Sequence, residues 1–230
     1  MRSRRESKIP SPALRSELPY AALLTYSPRG TSPISLRSQF FCYRIKSDGV
    51  IDDPPVRAIE RAIEALSNDA CADVREFLGT GATLIPCPPS APFPPRQKPA
   101  LWVPLRICEA LRGAGFGSRI LPCLRRVEAV PKSAFAAPGE RPSPSRHMST
   151  MTVESTLDPP DMITVVDDVV TKGATLLGAA SLLARAFPNA EIRAFALVRT
   201  QGYVKDIERI LDPVVGRISR TRNRGADRQP

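Results

Sequence analysis

This chain of 230 residues has little of what several common protein classes require. It holds one histidine, His147, and five cysteines at positions 42, 71, 87, 108 and 123, at least 15 residues apart. Histidine-rich zinc catalysis needs several imidazoles, and zinc knuckles or thioredoxin-type redox sites need a C-x-x-C pair, so these are excluded. A Ser/His/Asp hydrolase would have to use His147, and no G-x-S-x-G elbow accompanies it. His147 follows a proline-rich run and is expected as a solvated loop residue. Long apolar runs are absent as well: the longest, such as Ala194–Val198, are about five residues, against the ~20 of a spanning helix. The basic N-terminus lacks a following apolar stretch, so no secretory signal and no membrane partner are expected. An odd number of scattered cysteines fits reduced thiols in a cytoplasmic protein, with Cys108 and Cys123 packed as small hydrophobes.

What is present in excess is positive charge and proline. The net charge is +10, and 25 residues are proline, about 11% against a usual ~5%. A basic chain suggests a polyanionic partner. Seven of the ten charges, however, lie in residues 2–8, net +3, and 217–230, net +4. Both ends read as solvated basic tails, 1–19 and 217–230, through which nucleic acid is a possible but unfavoured partner.

Between the tails the pattern predicts an α/β fold. Residues 20–80 form an N-terminal hood or accessory region, with strands at Tyr20–Tyr26 and Phe40–Ile45 and helices at Val56–Leu66 and Ala70–Leu78. Residues 81–216 form the main domain. It starts with a strand at Ala82–Pro86, a helix at Trp102–Leu111 and a strand at Ser118–Leu124. It ends with a strand at Met162–Val166, a helix at Gly173–Phe187, a strand at Glu191–Val198 and a helix at Tyr203–Leu211. Strands separated by helices of this length predict a central, mostly parallel sheet flanked by helices. Eight prolines fall between 86 and 104, giving a stiff connection. Residues 126–160 hold six prolines and no sustained periodicity, the pattern of a lid or binding loop.

The most informative stretch is Ile163–Thr175, ITVVDDVVTKGAT. An apolar strand ends in Asp167 and Asp168, and a short glycine-containing loop then opens a helix. Parallel sheets bind ligands at the carboxyl edge of their strands. The free N–H groups of Thr171, Lys172, Gly173, Ala174 and Thr175 make a phosphate cradle, to which the threonine hydroxyls and the Lys172 ammonium add donors. Two carboxylates beside such a cradle would repel a phosphate unless something separates them. A ribose does so: its vicinal hydroxyls donate to the acids while its 5′-phosphate sits in the loop. The competing reading is that the two acids simply cap loop amides, although capping needs one short polar residue and not an acid pair.

These thirteen residues resemble the phosphoribosyl-pyrophosphate motif of type I phosphoribosyltransferases: four hydrophobic residues, two acids and a Thr/Gly-rich loop. More narrowly, residues 84–199 resemble the ComF-like, amidophosphoribosyltransferase-like branch, whose Arg-Gly-Phe-Asn-Gln signature this chain lacks. Lys172 stands where Thr, Ser or Arg is common. The resemblance implies a transfer of 5-phosphoribosyl from phosphoribosyl pyrophosphate to a nitrogenous base or amine, with release of pyrophosphate. It makes Cys87, Pro88, Pro89 and Ser90 the pyrophosphate loop, and residues 124–141 the flexible catalytic loop, with Lys132 and Arg141 closing over the pyrophosphate and Arg126 at its root. It implies Mg²⁺, carried mainly by the substrate with no direct protein ligand, and a homodimer. The contrasting expectation, from a different class, is a non-catalytic sensor of phosphoribosyl pyrophosphate or nucleotides that binds nucleic acid.

Overall fold

The computed structural model describes residues 14–94, 101–131 and 141–230. Lys132 and the rest of 132–140, part of the expected lid, lie outside them. The fold is α/β, built on a seven-strand, mostly parallel mixed sheet flanked by helices. In chain order the elements are β1 (Glu17–Tyr26), α1 (Pro33–Lys46), the short hairpin β2 (Val50–Ile51) and β3 (Val56–Arg57), α2 (Ala58–Glu64) and α3 (Ala72–Leu78). There follow β4 (Thr83–Pro86), α4 (Val103–Gly113), β5 (Arg119–Ile120), β6 (Leu124–Arg126), α5 (Pro144–Ser149) and β7 (Met151–Val153). The chain continues with β8 (Met162–Val170), α6 (Ala174–Ala186), β9 (Glu191–Thr200), β10 (Leu211–Arg220) and β11 (Ala226–Gln229). The sheet order is β11-β10-β1-β9-β8-β4-β5. β1, β9, β8, β4 and β5 are mutually parallel, and β10 and β11 add antiparallel pairs at one edge.

The central strands are apolar on both faces because both are covered, as parallel sheets require. Alternate residues of β9 divide accordingly. Phe195 and Leu197 pack with α1–α4, whereas Ile192, Ala194 and Ala196 pack with α6. No described helix is long and apolar enough to cross a membrane.

Several expected elements change. Phe40–Ile45 is not a strand but the second half of α1, which Ser32 caps by accepting from Ser35 N and which Pro33 begins. Its buried face is Ser35, Ser38, Cys42 and Ile45, while Leu36, Phe40 and Tyr43 are exposed. An inward face of small polar residues hides the helical period from a hydrophobicity pattern. The serine hydroxyls are satisfied there: Ser38 Oγ donates to Ser35 O at 2.7 Å, and Ser35 Oγ accepts from Ile207 N at 3.1 Å. Tyr203–Leu211 is not helical. Its polar groups instead serve the 27–32 turn, where Asp206 accepts from Thr31 N and Ser32 N and Lys205 O accepts from Ser27 Oγ.

Ser118–Leu124 divides into β5 and the start of β6. The 126–160 stretch is not uniformly structureless, since α5 and β7 lie within it and β7 pairs with β6. The 217–230 segment is not a free tail: Arg217–Arg220 closes β10 and Ala226–Gln229 is β11. Glu17–Pro19, read as the end of the N-terminal tail, begins β1, and the supposed hood thereby contributes a strand to the middle of the main sheet.

Candidate functional site

The site forms because neighbouring strands end at different heights. The β4–β8 ladder stops at Pro86 and Val166, with one further bond from Cys87 N to Val166 O at 2.8 Å. β8 continues to Val170, paired only with β9. Asp167 and Asp168 therefore lie within β8, not after it, yet on the β4 side they face an open edge. A regular strand turns adjacent side chains to opposite faces. Both acids nevertheless line one cavity of about 480 Å³, because it wraps over the carboxyl edge of the sheet. Neither acid caps the loop beyond: Asp167 Oδ1 accepts from Asp168 N at 2.9 Å and Asp168 Oδ1 from Val169 N at 2.8 Å.

The same cavity is lined by Thr171, Gly173, Ala174 and Thr175, at the amino end of the 13-residue α6. Gly173 is the N-cap residue, with no side-chain cap bond, and its φ of 85° is in the left-handed region. A Cβ at Gly173 would stand 2.7 Å from the Ile218 side chain, so the turn needs glycine both for its φ and for its fit. The first intrahelical bond is Leu177 N to Gly173 O. The amides before it point their partial positive charge out of the helix end. Lys172 is exposed and does not line the cavity.

Across from the loop lie Pro88, Pro89 and Ser90. Cys87, expected beside them, is buried beneath, its carbonyl accepting from Trp102 Nε1 at 2.6 Å and its thiol pushed well up by burial. Two prolines have no N–H, so of this loop only Ser90 has an amide donor and a hydroxyl to offer an anion. Arg126 supplies what the prolines lack. It is 6% exposed and lines the cavity. Its Nε donates to Pro89 O at 3.0 Å, and its Nη1 to Thr150 Oγ1 at 2.7 Å and to His147 O at 3.5 Å. Among the described residues it has no carboxylate within ion-pair distance. Burial lowers its pKa. A buried cation satisfied only by neutral acceptors is poised to receive an anion.

The electrostatics of the acids are complementary. Burial first, and then the adjacent Asp168 carboxylate, hold the Asp167 carboxyl well above the usual carboxylate range. Carboxyls perturbed in this way cluster at functional sites.

Two lining residues were not anticipated. Lys46, in the last turn of α1, also lines the cavity, and its charge acts to lower the Asp167 pKa against the larger effect of burial. The strand expected at Phe40–Ile45 stops one residue short of it. His147, expected in solvent, is 3% exposed on α5, with Nε2 3.3 Å from Thr175 Oγ1. Burial and then Arg126 lower its pKa to about 4. Arg141 is exposed, six positions before His147, and does not line the cavity. No group of three potential metal ligands exists among the described residues. No family model matches the chain, and no curated protein matches it.

Proposed function

We propose that this chain is a phosphoribosyltransferase that moves 5-phosphoribosyl from phosphoribosyl pyrophosphate to a nitrogenous base or amine, releasing pyrophosphate. One observation carries the reading: a single cavity joins an acid pair, the donor-rich start of α6 and a buried guanidinium that meets no carboxylate among the described residues. These groups match, in order, a ribose diol, its 5′-phosphate and a pyrophosphate. Asp167 and Asp168 would accept from the two ring hydroxyls and favour the positive charge that grows on the ribose as its C1–O bond breaks. The amides of α6 and the threonine hydroxyls would hold the 5′-phosphate, fixing the ring against the acids. Arg126 and Ser90 would take the charge gathering on the leaving pyrophosphate.

The described residues of the site include two carboxylates, and Mg²⁺ would arrive on the pyrophosphate, where it would supply Lewis-acid stabilisation of the leaving group. Trp102 and Val130 give the cavity an apolar wall on which a flat acceptor can lie. The nucleic-acid sensor draws less support, because three of the five arginines of 217–230, Arg217, Arg220 and Arg228, belong to β10 and β11 and not to a free tail.

The test is pyrophosphate release from phosphoribosyl pyrophosphate with Mg²⁺ and a panel of bases and amines, in wild type and Asp168→Asn. Activity in the first and loss in the second are expected. Donor binding should also raise the melting temperature by mass action. No shift with phosphoribosyl pyrophosphate or any 5′-nucleotide at millimolar concentration would overturn the reading, and the sensor reading with it.

A further inference from the structure

We infer that His147 is a positioning residue that commits the Thr175 hydroxyl to donate into the start of α6, making that loop specific for a fully deprotonated phosphate monoester. The inference deepens the proposed function and rests on it for the identity of the ester, though not for the hydrogen bond itself. The chain has one histidine, and the fold goes out of its way to bury it. Gly178 of α6 makes this possible: a Cβ there would stand 2.6 Å from Pro144 O and 2.9 Å from His147 Cβ. The glycine lets α5 lie directly on α6, one turn past the loop, and seats the imidazole beside Thr175. Ser143 caps α5 by accepting from Arg146 N, and Arg126 binds its carboxyl end through His147 O and Thr150 Oγ1. One short helix thus ties the buried cation to the loop.

The hydrogen bond has a direction. His147 Nε2 lies 3.3 Å from Thr175 Oγ1, and Nδ1 is buried with no partner among the described residues. A neutral imidazole carries one N–H. Placing it on Nδ1 would bury an unpaired donor. Placing it on Nε2 gives the proton to Thr175 Oγ1 and leaves bare only a lone pair. With its oxygen accepting from the imidazole, the threonine hydroxyl is left to donate outward. The hydroxyl then joins the open amides of Ala174, Thr175 and Leu176. The groups of this helix start then all donate, so an oxyanion with only acceptors fits there, and a hydroxyl or a protonated acid leaves donors unmatched. Were the hydroxyl to point its proton at the imidazole, the loop would present a lone pair to the phosphate and repel it.

A single histidine makes the test direct. In full-length protein labelled with ¹⁵N-histidine, long-range proton–nitrogen spectra should show the Nε2–H tautomer, and saturation with ribose 5-phosphate should shift Nε2 further. By calorimetry, His147→Phe and Thr175→Val should each weaken ribose 5-phosphate and inorganic phosphate roughly tenfold. The double variant should be no weaker than either, whereas His147→Gln, which keeps a donor near the Nε2 position, should stay within about threefold of wild type. An Nδ1–H tautomer, independent losses in the double variant, or normal affinity in His147→Phe would overturn the inference. The tautomer is read in wild type, so that result decides the inference even where His147→Phe folds poorly. If inorganic phosphate binds and reports on His147 but ribose 5-phosphate binds no tighter, the phosphoribosyl reading fails and the positioning role stands. If neither binds wild type, both fail.

Discussion

Replacing Arg126 by methionine separates a cation kept for structure from one kept for a ligand. Its guanidinium is almost wholly buried, donates to Pro89 O and Thr150 Oγ1, and meets no carboxylate among the described residues. Hydrogen bonds from a charged donor contribute about 1.5–3 kcal/mol each, so these two offer roughly 3–6 kcal/mol. Burying an unpaired ion costs several kcal/mol, which cancels most of that gain. Methionine has similar length, needs no desolvation and leaves little unmet. Thr150 Oγ1 keeps its donation to Arg146 O at 2.8 Å, and Pro89 lines the cavity. Stability should therefore change by no more than about 1–2 kcal/mol in urea denaturation. Affinity for Mg²⁺-pyrophosphate, measured calorimetrically, should fall by roughly 100-fold, about 3 kcal/mol, because a buried charge partner is lost. A stability loss above ~3 kcal/mol with pyrophosphate affinity intact would refute the reasoning and make Arg126 a scaffold residue.

Two further perturbations probe the loop and the acid pair. Gly173→Ala should destabilise the fold by about 2–4 kcal/mol, combining left-handed strain with overpacking against Ile218. In an Ile218→Ala background only the strain of about 1–2 kcal/mol should remain, and additive losses would refute the contact. Asp167 titrates higher in the folded chain than in the unfolded one, so the native state binds the extra proton. Wild-type stability should fall as pH rises above about 4, the unfolded value, until the raised folded value is passed. Asp167→Asn should lack this fall and be the more stable protein at neutral pH; equal pH profiles would refute it. His147 runs the other way: its lowered pKa of about 4 means that stability drops as pH falls from about 6.5 to 4, and His147→Gln should lose that drop.

The strands and helix around the phosphate loop are legible in the sequence because their side chains carry the period themselves. β8 and β9 are buried on both faces, and α6 has apolar residues at helical spacing, so each local pattern matches its tertiary environment. The motif Ile163–Thr175 was readable for the same reason: a strand end, an acid pair and a helix start are contiguous in the chain. α1 was misread because its buried face is Ser35, Ser38 and Cys42, which no hydrophobicity pattern marks as inward. Residues 217–230 resemble a basic tail because the edge hairpin they help form is half exposed and tolerates arginines on its open side.

The sequence alone determined the α/β class and the parts of the site that neighbours along one segment can make, Asp167, Asp168 and the 171–175 turn. Tertiary structure decided everything that depends on bringing distant segments together. It took Cys87 out of the cavity and placed Lys46 in its wall. It turned Arg126 from a lid residue into a buried cation, and the one histidine from a solvated side chain into a partner of Thr175. The physical reason is that a turn's conformation is set by its own residues, whereas burial and partnership are set by packing. No local pattern records that Gly178 admits α5.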